Sequence, residues 1–127
     1  MKKLKALVVG DDEVTNNLLI AILEAEGHDA ISAANGIQAL ECLNEYKADL
    51  IISDGKMPLL DGFGLAFQLK NDPRFKAIPF ILYTATYASE SDEKLAREYG
   101  INLYLRKAGS IKSISNAINK LAADITL

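Results

Sequence analysis

The chain has 127 residues, 50% of them apolar and 24% charged, which fits one globular domain and excludes a disordered chain. Its 14 Lys and Arg stand against 17 Asp and Glu, a net charge of -3, so no basic excess exists to neutralise a nucleic-acid backbone. The single cysteine, Cys42, excludes an intrachain disulfide framework and fits a reducing, cytoplasmic compartment. The longest apolar run, Leu18 to Leu23, falls far short of the roughly 20 residues that span a bilayer. The basic start, Met1 to Lys5, meets Asp11, Asp12 and Glu13 at once, so no signal peptide is expected.

In chain order, Leu4 to Val9 is a strand closed by Gly10-Asp11-Asp12. A helix over Val14 to Glu26 places Val14, Leu18, Ile22 and Ala25 on one apolar face, and Gly27 stops it. Asp29 to Ala33 is a second strand, with His28 before it at the surface or sheet edge. Asn35-Gly36 opens a helix carrying Leu40 and Leu43, with Cys42 as a packing residue. Leu50 to Ser53 is an apolar strand ending at Asp54, and Gly55 to Asp61, which contains Met57-Pro58, is a loop. A helix over Gly62 to Asn71 sets Phe63 and Phe67 one turn apart. Pro79 to Tyr83 is the fourth strand, Ser89 to Tyr99 a helix, and Ile101 to Leu105 the fifth strand. Ser110 caps a last helix with Ile111, Ile114, Ile118, Leu121 and Ile125 at helical spacing. Gly36, Gly62 and Gly100 read as turn or cap glycines needing an unusual φ.

Five strands alternating with five helices imply an α/β domain over residues 1–127, a doubly wound parallel sheet of order 2-1-3-4-5 with helices on both faces. The crevice then lies beyond the carboxyl ends of strands one and three. Strand one delivers Gly10, Asp11 and Asp12, strand three Asp54, strand four Thr84 and strand five Lys107. Hard oxygen ligands with a nearby ammonium suit Mg²⁺ and a phosphoryl group. No His/Cys cluster supports zinc, and the one histidine lies away from this edge, which argues against a Ser-His-Asp triad. A flavin carrier on this fold would need a hydroxyl- and glycine-rich phosphate loop after strand one, where acids stand instead.

Asp11, Asp54, Met57-Pro58, Asp61-Gly62, Thr84 and Lys107 together resemble the receiver domain of two-component response regulators, over essentially the whole chain. The resemblance implies that a partner histidine kinase or phosphotransfer protein donates a phosphoryl group to Asp54, with Mg²⁺ held by Asp11, Asp54 and the backbone carbonyl of Lys56. It further implies that Thr84 and Lys107 bind the phosphoryl oxygens. Tyr104 then swings inward as the fourth helix and fifth strand rearrange, so that the face of the fourth helix, fifth strand and fifth helix carries dimer or output contacts. On this reading the protein is a phosphorylated acceptor, not a turnover enzyme.

The chain departs from the family's pattern twice. Gly10 stands where the first of two acids is usual, so an acid restored there is expected to tighten Mg²⁺ binding. Should the strand bulge at Gly10, Asp12 becomes the alternative metal ligand. Ala108 replaces the usual proline after Lys107, and a trans peptide, or a looser loop around Lys107-Ala108-Gly109, is expected there. Both departures support a competing reading, a pseudo-receiver that binds partners with weak or lost phosphorylation. With no output domain following residue 127, the output is expected to be docking to another protein, or the chain to be part of a larger sensor or regulator.

Overall fold

In the computed structural model, residues 3–55, 57, 60–84, 94, 97–106 and 111–126 are described, of which 84, 104, 106, 111, 122 and 124–126 by their backbone. The strands are β1 (Lys5–Val9), β2 (Asp29–Ala33), β3 (Leu50–Asp54), β4 (Phe80–Thr84) and β5 (Leu103–Arg106). They pair in parallel in the order β2-β1-β3-β4-β5, as the sequence predicts. The helices are α1 (Glu13–Ala25), α2 (Gly36–Leu43), α3 (Gly62–Lys70) and α4 (Ile111–Thr126). Of the helix expected over 89–99, residues 94, 97, 98 and 99 are described, the first three helical and Tyr99 in the turn that follows.

The strands' two-residue period divides the core into two layers. Leu7, Val9, Ile51, Phe80 and Leu82 pack with Ala39 and Leu43 of α2 and Leu65, Ala66 and Leu69 of α3. Ala6, Val8, Leu50, Ile52, Ile81 and Tyr83 pack on the opposite face with Leu19, Ile22 and Leu23 of α1 and Ile114 and Ile118 of α4. Central strands buried on both faces explain the unbroken apolar runs of β1, β3 and β4. Cys42 packs at the margin of the first layer, as expected.

The structure corrects three expectations. First, the buried stripe of α1 is Asn16, Leu19, Ile22 and Leu23, whereas Val14 is 78% and Leu18 40% exposed. Six consecutive apolar residues fit several phases of a helical wheel, and packing on β1 and β3 selects one of them. Second, His28 is 3% exposed. Its Nδ1 accepts the Leu4 N–H at 3.1 Å, while the Asp29 N–H donates to Leu4 O at 2.9 Å, so the imidazole is built into the start of the β1–β2 pairing.

Third, among the described residues the glycines with positive φ are Gly27 (87°) and Gly100 (82°), which leaves out Gly36 and Gly62. Those two are required by close approach. A Cβ at Gly36 would lie 2.6 Å from Leu60 O, and one at Gly62 would run into Asp54 O and stand 2.6 Å from Leu82 Cδ1. Beyond α3, the Tyr99 ring packs edge-on against Phe63 and Phe67, at 6.1 and 5.7 Å between centroids.

Candidate functional site

A parallel sheet ends all its strands on one side, and the register fixes which residues meet there. Val9 lies opposite Ser53, so Gly10 follows beside Asp54, the last residue of β3. Asp54 is half-buried and lies opposite Tyr83, and Thr84, one residue on, lies opposite Arg106. Lys107 follows Arg106 in the chain. Lys107, Lys56, Ala108 and the side chains of Thr84 and Tyr104 lie outside the described residues.

Asp54 is fixed through its backbone. The Ser53 hydroxyl donates to Asp54 O at 2.9 Å, and the Gly62 N–H donates to Gly55 O at 3.2 Å. The start of α3 therefore lies directly on the end of β3. Met57 is half-buried against the core layer below.

The acids of the edge divide by role. Asp12 is the N-cap of α1: Oδ1 accepts from the N–H of Val14 at 3.0 Å, and Oδ2 accepts from the Thr15 hydroxyl at 2.7 Å. Asp61 caps α3 in the same way, accepting the Gly64 N–H at 2.8 Å. Both carboxylates satisfy backbone donors that a helix start leaves without partners. Asp11 follows Gly10 at the sheet edge and is exposed.

The β1–β2 ladder is regular up to Gly10. The Gly10 N–H donates to Ala33 O at 3.0 Å, the bond that the regular β1–β2 ladder places there. With the ladder unbroken, Asp12 belongs to the helix cap and Asp11 to the edge.

One residue of this edge does not stand out in the sequence. Asn16 is 7% exposed on the core face of α1, and its Nδ2 donates to Gly10 O at 2.8 Å. A Cβ at Gly10 would stand 2.9 Å from Asn16 Oδ1 and 3.6 Å from Asp54 Cβ. The signal is a polar residue three positions before Leu19, in step with the stripe that α1 buries.

Among the described residues no group of three His, Cys, Asp or Glu gathers as a metal cage. The donors at the edge are two carboxylates and neutral oxygens. That set fits a hard cation that keeps several waters and takes one or two carboxylates, and it does not fit a thiophilic metal. A carboxylate at a strand end, with room for such a cation, can act as a nucleophile toward an activated phosphoryl group.

A five-stranded parallel sheet with acids at the ends of β1 and β3 defines a receiver-type α/β protein. The chain belongs to the response regulator receiver domain family, whose profile matches residues 6–119, and it is thereby a component of two-component signalling. It is 31% identical over 118 residues to the polar-differentiation response regulator DivK of Brucella anthropi, covering 93% of this chain and 95% of that protein. Its fold matches the receiver domain of a signal transduction histidine kinase from Syntrophus aciditrophicus with a TM-score of 0.86 at 29% identity, over 95% of this chain and 91% of that one. It also matches the receiver domain of a Pseudomonas aeruginosa sensor histidine kinase, which carries a magnesium ion in its active-site cleft. There the TM-score is 0.81 at 25% identity, over 94% and 97% of the two chains. Among the described residues no helix is long and apolar enough to cross a membrane.

Proposed function

We propose that the chain is a stoichiometric phosphoacceptor, taking a phosphoryl group on Asp54 from the phosphohistidine of a histidine kinase or phosphotransfer protein. The observation that carries this reading is the placement of Asp54 at the end of central strand β3, beside the Gly10-Asp11 end of β1. An Asp54 carboxylate oxygen forms the new P–O bond as the donor's P–N bond breaks, and the departing imidazole takes a proton from solvent. Transfer of this kind asks the protein chiefly for position and charge neutralisation.

Asp11, Asp54 and the Lys56 carbonyl are the residues that would hold Mg²⁺, the ion carried by the similar Pseudomonas receiver. When bound, the ion neutralises negative charge on the phosphoryl oxygens. Thr84 and Lys107, from the ends of β4 and β5, supply donors to those oxygens. The signal leaves through the face that includes β5 and α4, toward a second copy or an output protein.

The test is intact mass after incubation with acetyl phosphate and Mg²⁺. One added phosphoryl group, absent in Asp54→Asn, is the expected result. A second reading, an interaction module that takes no phosphate, draws on the missing acid at Gly10. An unchanged mass in the parent chain, with Mg²⁺ bound, would favour it.

A further inference from the structure

Gly10 leaves the acidic edge one carboxylate short of the family's usual pair, and the structure shows what stands there instead. The Asn16 amide has one orientation that its surroundings allow. Gly10 O can only accept, so the nitrogen faces it at 2.8 Å and Oδ1 takes the other side. That oxygen and the Asp54 Cβ flank one point, 2.9 and 3.6 Å from where a Gly10 Cβ would be. Oδ1 therefore occupies the space that a side chain at position 10 would enter, a space that Asp54 Cβ also borders, and it does so on a side chain 7% exposed on the buried face of α1.

We propose that Asn16, through Oδ1, supplies a neutral oxygen to the cation-facing edge of the Asp11–Asp54 site in place of the missing acid, and that Gly10 and Asn16 are a matched pair. This rests on the phosphoacceptor reading only in that Asp11 and Asp54 hold a divalent cation. A glycine at position 10 gives the amide its room, since any Cβ there would press on Oδ1 at 2.9 Å. The exchange lowers the site's negative charge while keeping an oxygen at its rim. It also alters what an acid restored at position 10 can do, because that acid must first displace Asn16.

The experiment is Mg²⁺ titration followed by backbone amide shifts, with no phosphodonor present, in the parent and in Asn16→Leu, Asn16→Asp, Gly10→Asp, Gly10→Asp/Asn16→Ala and Asp11→Ala. Asn16→Leu removes both donor and oxygen and is expected to weaken Mg²⁺ about three- to tenfold, as for one oxygen acting through water. Asn16→Asp keeps an oxygen, adds charge and cannot donate to Gly10 O, and it is expected to bind Mg²⁺ at least as tightly as the parent. Gly10→Asp is expected to gain nothing alone and to bind more tightly once Asn16→Ala makes room.

If Asn16→Leu leaves the dissociation constant unchanged, the proposal is overturned. It is overturned equally if Asn16→Leu and Asn16→Asp weaken binding alike, since the amide then only anchors Gly10 O, or if Gly10→Asp alone tightens binding as much as the double variant. In all three cases a parent that binds Mg²⁺ and an Asp11→Ala chain that does not would leave the cation site standing. A parent that binds no Mg²⁺ overturns both readings.

Discussion

Gly62 and Gly64 stand two residues apart in the first turn of α3, and their surroundings separate steric need from helix preference. A methyl at Gly62 would press on Asp54 O and on Leu82 Cδ1, both set in the sheet. At Gly64 it would meet Leu60 Cδ1 at 2.8 Å, the far end of a side chain that can turn away. Gly62→Ala should therefore cost about 2 kcal/mol or more and shift the amides around Asp54. Gly64→Ala should fall within about 1 kcal/mol of the parent, because alanine's helix preference offsets a small repacking. Urea unfolding of the two variants checks this, and equal losses would mean that the contact with Asp54 is not the constraint. Asp11 and Asp54 were legible in the sequence because strand ends follow from apolar runs and turns. The close approach at Gly62 was legible only as a glycine, since its cause is a carbonyl on another element. Asn16 was illegible for a similar reason: a polar residue on a core face is explained by its partner, here Gly10 O.

Within helix α1, the sequence reading misses both the Asp12 cap and the phase of the buried stripe. The cap is a local matter of Asp12 and the three residues after it. The stripe depends on what lies opposite, and a run of six apolar residues does not choose its own phase. Asp12→Ala should cost about 1 kcal/mol through loss of the cap and leave Mg²⁺ affinity nearly unchanged, while Asp11→Ala should nearly abolish it. Thermal unfolding without metal and amide-shift titration with it measure the two effects separately. If Asp12→Ala loses as much Mg²⁺ affinity as Asp11→Ala, the division of roles between these acids is wrong.

The other end of α1 is tied to α4. Glu26 accepts from the Ser115 hydroxyl at 2.5 Å and from Asn119 Nδ2 at 3.2 Å. These bonds, Ser115's foremost, hold its carboxyl below the ordinary value of 4.5. A carboxyl depressed in the folded state contributes stability at pH values above its unfolded pKa and loses it as pH falls through the folded one. Glu26→Gln should thus lower the urea midpoint at pH 6, with the gap from the parent closing as pH falls below 4.5. A gap that stays constant across that range would show that the tie does not depend on the charge.

Across the whole molecule, strand order and the presence of helices on both faces are readable from alternation, because parallel strands joined by helices leave few topologies open. What alternation does not show is how a charge placed at Asp54 reaches a distant face. The sheet gives it an asymmetric route. Asp54 lies opposite Tyr83, and Leu82 and Thr84 on either side pair with Tyr104 and Arg106. Strand β4 therefore joins Asp54 to the edge strand β5 through one continuous ladder. Toward the other edge, β1 lies between β3 and β2, and its Gly10-Asp11 end is an exit to α1 rather than a ladder partner of Asp54. If phosphorylation drives the output face, a phosphoryl mimic on Asp54 should shift the amides of residues 101–106 more than those of 29–33. Tyr104→Ala should reduce the shifts at the β5 edge while leaving the mass gain at Asp54 intact, because the side chain is assigned to the response and not to the transfer. Amide spectra of the parent and Tyr104→Ala, with and without the mimic, test both points. Larger shifts in β2 than in β5, or a Tyr104→Ala chain that responds as the parent does, would place the output elsewhere on the molecule.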